Sequence, residues 1–264
     1  MLIDVHAHFD HDRTGHADWP ARNQSRLVAG RKMGITHHVA SILGSWGHTS
    51  PTYFPSPTDL GYANAKMREL QAAHPAEVRG YVAVNPNHAA HALAEIEVGQ
   101  RRGMIGVKLA ASRRADDPLL DPVCEAAARH GFPVLHHVWQ HRRREWPSQE
   151  ASDGVELCRL ARRHPTVSFI LAHIGGGGDW LHTLRAARRV PNVLLDLSGS
   201  GTDGGMLEAA LRAVGAGRLL WGCDVTLCTG YAKLRVLGRL LGPDDLALVT
   251  SGNARRIFPE GAFA

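Results

Sequence analysis

The feature that most constrains this chain is its rhythm. Short apolar, β-branched runs alternate with Ala-, Leu- and Arg-rich stretches from one end to the other. Strand candidates fall at residues 2–6, 36–41, 78–84, 105–109, 133–137, 168–173, 193–197 and 219–222, and helical spacing at 60–73, 89–102, 118–130 and 154–164. Strands separated by helices predict a parallel sheet, because each parallel pair needs a crossover connection. Eight such strands in 264 residues predict a closed (β/α)8 barrel. A doubly wound open sheet is the runner-up, but it usually carries a glycine-rich phosphate turn after its first strand. Here His6–Ala7–His8 stands in that place.

Nothing interrupts the rhythm as a repeat, linker or low-complexity segment would, so one domain over residues 1–264 is expected. A hydrophobic share of 44% supplies ample core for it. No basic N-terminal region precedes a long apolar stretch, and no later segment is long enough to span a bilayer. The four cysteines show no CxxC pairing, which together predicts a cytoplasmic protein, with Cys223 a small buried thiol. The formal charge is +5, yet the basic runs at 159–163 and 185–189 lie on amphipathic stretches and read as solvated helix faces. A nucleic-acid partner would want that charge gathered on one surface with interleaved aromatics, so none is expected. Arg142, Arg143 and Arg144 follow a strand of the expected site and could draw an anionic small molecule. Residues 44–58 form a long loop after the second strand, a lid or pocket wall in one reading and a plain surface excursion in the other.

Catalytic groups of such barrels sit where strands end, so the polar residues there can be read off. Strand one ends in His6 and His8, two apart and therefore on one face, about 6.5 Å of rise from each other. Strand four brings Lys108, strand five the adjacent His136 and His137, strand six His173 before four glycines, and strand eight Asp224. Each alone has an ordinary explanation, such as an aspartate capping the next helix. Together at strand ends they point to a metal site. Neutral imidazoles with a carboxylate suit one divalent cation, zinc first, with Mn2+ or Fe2+ as alternatives. Three histidines and the aspartate leave room for a water, and His173 is then free to act on substrate.

The series HxH, Lys, His, His, Asp on successive strands resembles the amidohydrolase superfamily, and more narrowly amidohydrolase family 2, which includes aminocarboxymuconate-semialdehyde decarboxylase and several lactone hydrolases. The phrases IDVHAHF at 3–9, GVKL at 106–109, FPVLHH at 132–137, LAHIGG at 171–176, LLWGCD at 219–224 and SGNARRIF at 251–258 carry the likeness in order along the chain. It implies a barrel without the N-terminal β-sandwich of other branches, since the first strand begins at residue 2. It implies His6, His8, His137 and Asp224 as metal ligands and His173 with Asp224 as catalytic residues. The family's strand-five spacing selects His137 over His136. Lys108 is then a substrate or structural group, not a carbamate bridge between two metals.

Two reactions share such a site. One is hydrolysis of a C–N bond or lactone by metal-activated water, the reading preferred because His-x-His replaces the Glu-x-His of many aromatic-acid decarboxylases. The other is non-oxidative decarboxylation, or hydration, of an unsaturated or aromatic acid. A binding-only barrel is disfavoured by the full ligand set. Lys108, Trp46 and Trp139 are expected to contact a small substrate, with an anionic group suited to Lys108. The patterning leaves oligomeric state open, with a homo-oligomer allowed.

Overall fold

A computed structural model describes residues 1–138, 152, 154–174, 180–199, 201 and 203–264. The barrel strands are β1 (Ile3–His8), β2 (His37–Ser41), β3 (Val78–Val84), β4 (Gly106–Leu109), β5 (Val134–His136), β6 (Phe169–Leu171), β7 (Val193–Asp196) and β8 (Leu219–Leu220). They lie in sequential order, each parallel to the next. The sheet closes where the segment after β8 meets β1. Val5 N–H donates to the Trp221 carbonyl at 3.2 Å and Asp224 N–H to that of His6 at 2.6 Å, with a parallel bridge between Ala7 and Asp224. This is the (β/α)8 barrel that the alternation predicts.

Helices α1 (Trp19–Met33), α2 (Pro57–Ala73), α3 (Ala89–Arg101), α4 (Asp121–Arg129), α5 (Gly154–Arg163), α6 (Trp180–Ala187), α7 (Met206–Val214) and α8 (Leu227–Leu240) follow the strands in turn. Each covers apolar residues on the outer face of the sheet, the larger of two core layers. The smaller layer lies inside the barrel. Every strand adds to it or is flanked by a residue that does: Ile3 and Val5, Val39, Tyr81, Ile105, Leu135, Ile170, Leu194 and Leu220. Ile257, Phe258 and Phe263 from the C-terminal segment pack beneath it, so this end is filled and the opposite end carries the polar side chains.

Several boundaries differ from the sequence reading, and two of them have local reasons. Helix α2 begins at Pro57, earlier than residue 60, because the Ser56 hydroxyl accepts the Asp59 N–H at 3.1 Å and proline is pre-set for a first helical turn. The Asp59 carboxylate then accepts from the hydroxyls of Ser45 (3.1 Å), Thr49 (2.6 Å) and Ser50 (2.5 Å). Burial alone would raise that carboxyl, but those hydroxyls hold it below its ordinary value. The loop after β2 is thus fastened to α2 as a pocket wall.

Strand β1 extends to His8 and contains a bulge. Ile3 and Asp4 pair with His37 and His38, whereas Ala7 and His8 pair with Ala40 and Ser41, so one extra residue lies between. A strictly alternating strand would turn Ile3 and Val5 to the axis and both histidines away from it. The extra residue reverses the parity, and His6 and His8 share the axial side with Val5. The His6 N–H, removed from the ladder, donates to Asp4 Oδ1 at 3.2 Å.

The expected solvated helix faces are seen where they are described. Arg159 pairs with Asp116 and Arg163 with Asp121, both at 2.9 Å along the outer side of α5. None of the four cysteines is in a disulfide, and Cys124, Cys158 and Cys223 are buried. Among the described residues no helix is long and apolar enough to cross a membrane.

Candidate metal centre

His6 touches Lys108 of β4 and Asp196 of β7. Side chains from strands so far apart in the sheet meet only inside the barrel. Its Nδ1 donates to Asp196 Oδ2 at 2.6 Å. His8 Nδ1 donates to the Ser41 carbonyl at 3.0 Å. A carbonyl only accepts and an ionised carboxylate only accepts, so both rings carry their proton on Nδ1 and keep a lone pair on Nε2.

Those lone pairs face each other at 3.2 Å. Asp224 Oδ1 stands 3.2 Å from His8 Nε2 and 3.8 Å from His6 Nε2. Three acceptors gathered this way repel one another unless positive charge stands among them. Bonds of about 2.0–2.2 Å to one ion place its donor atoms roughly 3–4 Å apart, so the set fits a divalent cation. The Lys108 ammonium, 3.0 Å from His6 Nε2, is the positive group in contact. Burial pulls its pKa down to about 8, against the attraction of Asp224 and Asp196. Burial likewise holds His6 and His137 well below the ordinary histidine range, which keeps both imidazoles neutral, the form that metal ligation requires. For Asp224 burial works upward, but His173, His8 and His6 hold the carboxyl far below its usual value.

The remaining sequence candidates fall around this centre. His173 lies two residues beyond β6 with its ring 4.8 Å from that of His6, and its Nδ1 is 3.7 Å from Asp224 Oδ2. His137, not His136, joins it: His137 Nδ1 lies 3.1 Å from His173 Nε2, while His136 Nδ1 donates to a backbone carbonyl at 2.8 Å. Trp46 stands edge-on to His8 at 5.0 Å between ring centres, and Tyr53 lies 5.1 Å from His137. A cavity of about 540 Å3 opens beside His8 and is walled by Trp46, Arg22, Arg26 and Val225. Trp139 and Arg142–Arg144 lie outside the described residues.

Two participants escaped the sequence reading. Asp196 orients His6, and Ser198 bridges Asp196 Oδ2 (2.5 Å), His6 Nδ1 (3.0 Å) and His173 Nδ1 (3.1 Å). Asp196 ends an apolar strand as the other candidates do, so the same rule could have found it. A second unforeseen feature is conformational. Among the described residues, Trp46, His173 and Asp224 are the non-glycine residues at positive φ (53°, 57° and 62°). That backbone costs energy for any side chain with a Cβ and persists only where its surroundings hold it.

The sequence model of the amidohydrolase family matches residues 3–259. The chain belongs to the amidohydrolase family. Among curated proteins nothing matches it. Solved structures that resemble this amidohydrolase include 5-carboxyvanillate decarboxylase from Sphingomonas paucimobilis, at 20% identity over 97% of this chain and 98% of that one, with a TM-score of 0.72. Another is 2,6-dihydroxybenzoate decarboxylase from Rhizobium, at 16% identity, the same coverage and a TM-score of 0.74. A third is dihydroxybenzoic acid decarboxylase from Polaromonas sp. JS666 with bound manganese and the inhibitor 2-nitroresorcinol, at 17% identity over 97% and 96% of the chains and a TM-score of 0.72. These likenesses establish a shared fold. They also correct the preference for hydrolysis, and with it the assignment as a hydrolase, because these similar structures are decarboxylases. The preference rested on His-x-His alone, whereas a cation held by imidazoles and a carboxylate can serve either reaction.

Proposed function

We propose that this amidohydrolase is a metal-dependent, non-oxidative decarboxylase of a small aromatic carboxylic acid. The observation that carries the reading is the convergence of His6, His8 and Asp224 on one point inside a barrel whose solved likenesses include decarboxylases of such acids. His6, His8 and Asp224, with His137 as the fourth protein ligand, would hold one divalent cation, zinc or manganese. When bound, the cation supplies Lewis-acid attraction for the acid's anionic oxygens.

The chain's own residues do the rest. Trp46 offers an aromatic face at the edge of the 540 Å3 cavity, a volume suited to a single-ring molecule. Lys108 places a buried positive charge beside His6, where a substrate carboxylate gains attraction in a site of low dielectric. In the reaction the bond between ring carbon and carboxylate breaks, carbon dioxide leaves, and the electron pair left on the ring carbon takes a proton. We assign that proton transfer to His173 and Asp224, whose Nδ1 and Oδ2 lie 3.7 Å apart.

The test is turnover of a panel that includes 2,6-dihydroxybenzoate and 5-carboxyvanillate by metal-loaded protein in D2O. The expected products are carbon dioxide and an arene with one deuterium where the carboxylate stood. Turnover of lactones or amides instead, with 18O from labelled water in the product, would overturn the reading.

A further inference from the structure

One buried cation takes no part in the chemistry described above. Lys233 lies on α8 at 3% exposure. Its ammonium donates to three successive carbonyls after β7: Leu197 at 2.8 Å, Ser198 at 3.0 Å and Gly199 at 2.7 Å. An ammonium has three donors, and all three are committed. Burying it costs free energy that an apolar residue of the same size would not, so its contribution lies in what it holds.

The loop it holds carries two contacts of His173. Ser198 Oγ meets His173 Nδ1 at 3.1 Å. Gly199 sits at φ 79° with its backbone so close that an added Cβ would lie 2.8 Å from His173 Nδ1. His173 itself occupies the left-handed region, a conformation that requires outside support. The other end of the clamp is also anchored. Trp221 Nε1 donates to the Gly230 carbonyl at 2.9 Å, and a Cβ on Gly230 would fall 2.5 Å from Cys223 Sγ. Helix α8 is therefore seated tightly on the end of β8, and Lys233, one turn later, reaches across to β7.

We propose that Lys233 is a positioning residue for His173, fixing residues 197–199 from α8 so that the imidazole keeps its place beside Asp224. The functional part of this inference rests on the decarboxylase reading, which gives His173 its role. The positional part does not.

The experiment compares wild type with Lys233→Met, reading the ring 15N resonances of His173, assigned through His173→Asn, in metal-loaded protein. Displacement or broadening of those signals in a folded variant that retains its metal is the expected result. Unchanged His173 signals would overturn the proposal. Should Lys233→Met fail to fold, Lys233→Arg carries the same measurement: it keeps a buried cation, but its planar fork does not match three convergent carbonyls. On an accepted substrate, the loss of contact is expected to lower kcat by about 10- to 100-fold with KM little changed, since a misplacement near 1 Å costs on that order. In a His173→Asn background the same substitution should cost nothing further. Full additivity of the two losses would mark Lys233 as a general stabiliser and overturn the proposal. If wild type turns over no aromatic acid, the reaction assigned above fails, while the 15N comparison still decides the position of His173.

Discussion

Asp4 Oδ1 accepts the backbone N–H of His6 at 3.2 Å, and through that bond a buried carboxylate supports the bulge that turns both β1 histidines to the barrel axis. The same oxygen takes the Cys223 N–H at 2.9 Å, and Oδ2 receives Arg26 and His38 at 3.0 Å each. Burial would raise the Asp4 carboxyl, but the His38 hydrogen bond and the Arg26 charge hold it below its ordinary value. One side chain therefore ties β1 to α1, β2 and the end of β8.

Replacing Asp4 by alanine leaves the Arg26 guanidinium buried without its partner. The expected cost is about 3–5 kcal/mol, the usual result of breaking a buried pair on one side. Urea unfolding at pH 7 measures it. A change below about 1 kcal/mol, the worth of an exposed pair, would show that the bulge holds without this carboxylate.

Asp196 keeps the proton of His6 on Nδ1 and so leaves the Nε2 lone pair for the proposed cation. Asp196→Asn is expected to weaken metal binding by about 10- to 100-fold, the range for loss of a carboxylate behind a ligating histidine. Competition against a chelator of known affinity reads this directly. Binding unaltered within twofold would remove Asp196 from the metal's support.

His6→Ala, His8→Ala, His137→Ala and Asp224→Asn should each empty the site, whereas His173→Ala should keep the metal and lose turnover. His136→Ala should be mild by comparison. Elemental analysis of the purified variants separates these classes, and about one divalent ion per chain is expected in wild type. If His136→Ala empties the site and His137→Ala does not, the assignment on strand β5 is off by one.

Chelation should lower thermal stability as well as activity, because it leaves the acceptors of His6, His8 and Asp224 facing one another. With metal at 100 times its Kd, the expected contribution is about 2.7 kcal/mol. Calorimetry with and without chelator tests this, and an unchanged Tm would show that the site does not take up a cation under those conditions.

Gly222 marks where β8 approaches β1. A Cβ there would lie 2.7 Å from Asp196 Oδ1 and 3.1 Å from His6 Cβ. Gly222→Ala should therefore destabilise the fold by roughly 1–3 kcal/mol, as overpacking does, and reduce metal affinity with it. A stable variant with intact affinity would show that the two strands can part without cost.

The sequence by itself determined the elements and their succession, because period-2 and period-3.6 patterns are local properties of neighbouring residues. It also placed His6, His8, Lys108, His137, His173 and Asp224 near strand ends, and the barrel brings all of them together. Tertiary structure decided what depends on pairing between distant segments. The parity of β1 follows from its register against β2 and the end of β8, so the inward turn of His6 and His8 is not written in residues 3–8. The proton position on His6 depends on Asp196, and that on His8 on the Ser41 carbonyl, both remote in sequence. The left-handed backbone of His173 and Asp224 persists because surrounding contacts offset its cost, and no local signal records it. The choice between hydrolysis and decarboxylation lay beyond the motifs for a chemical reason: a cation held by imidazoles and a carboxylate can activate a water or attract the oxygens of an acid.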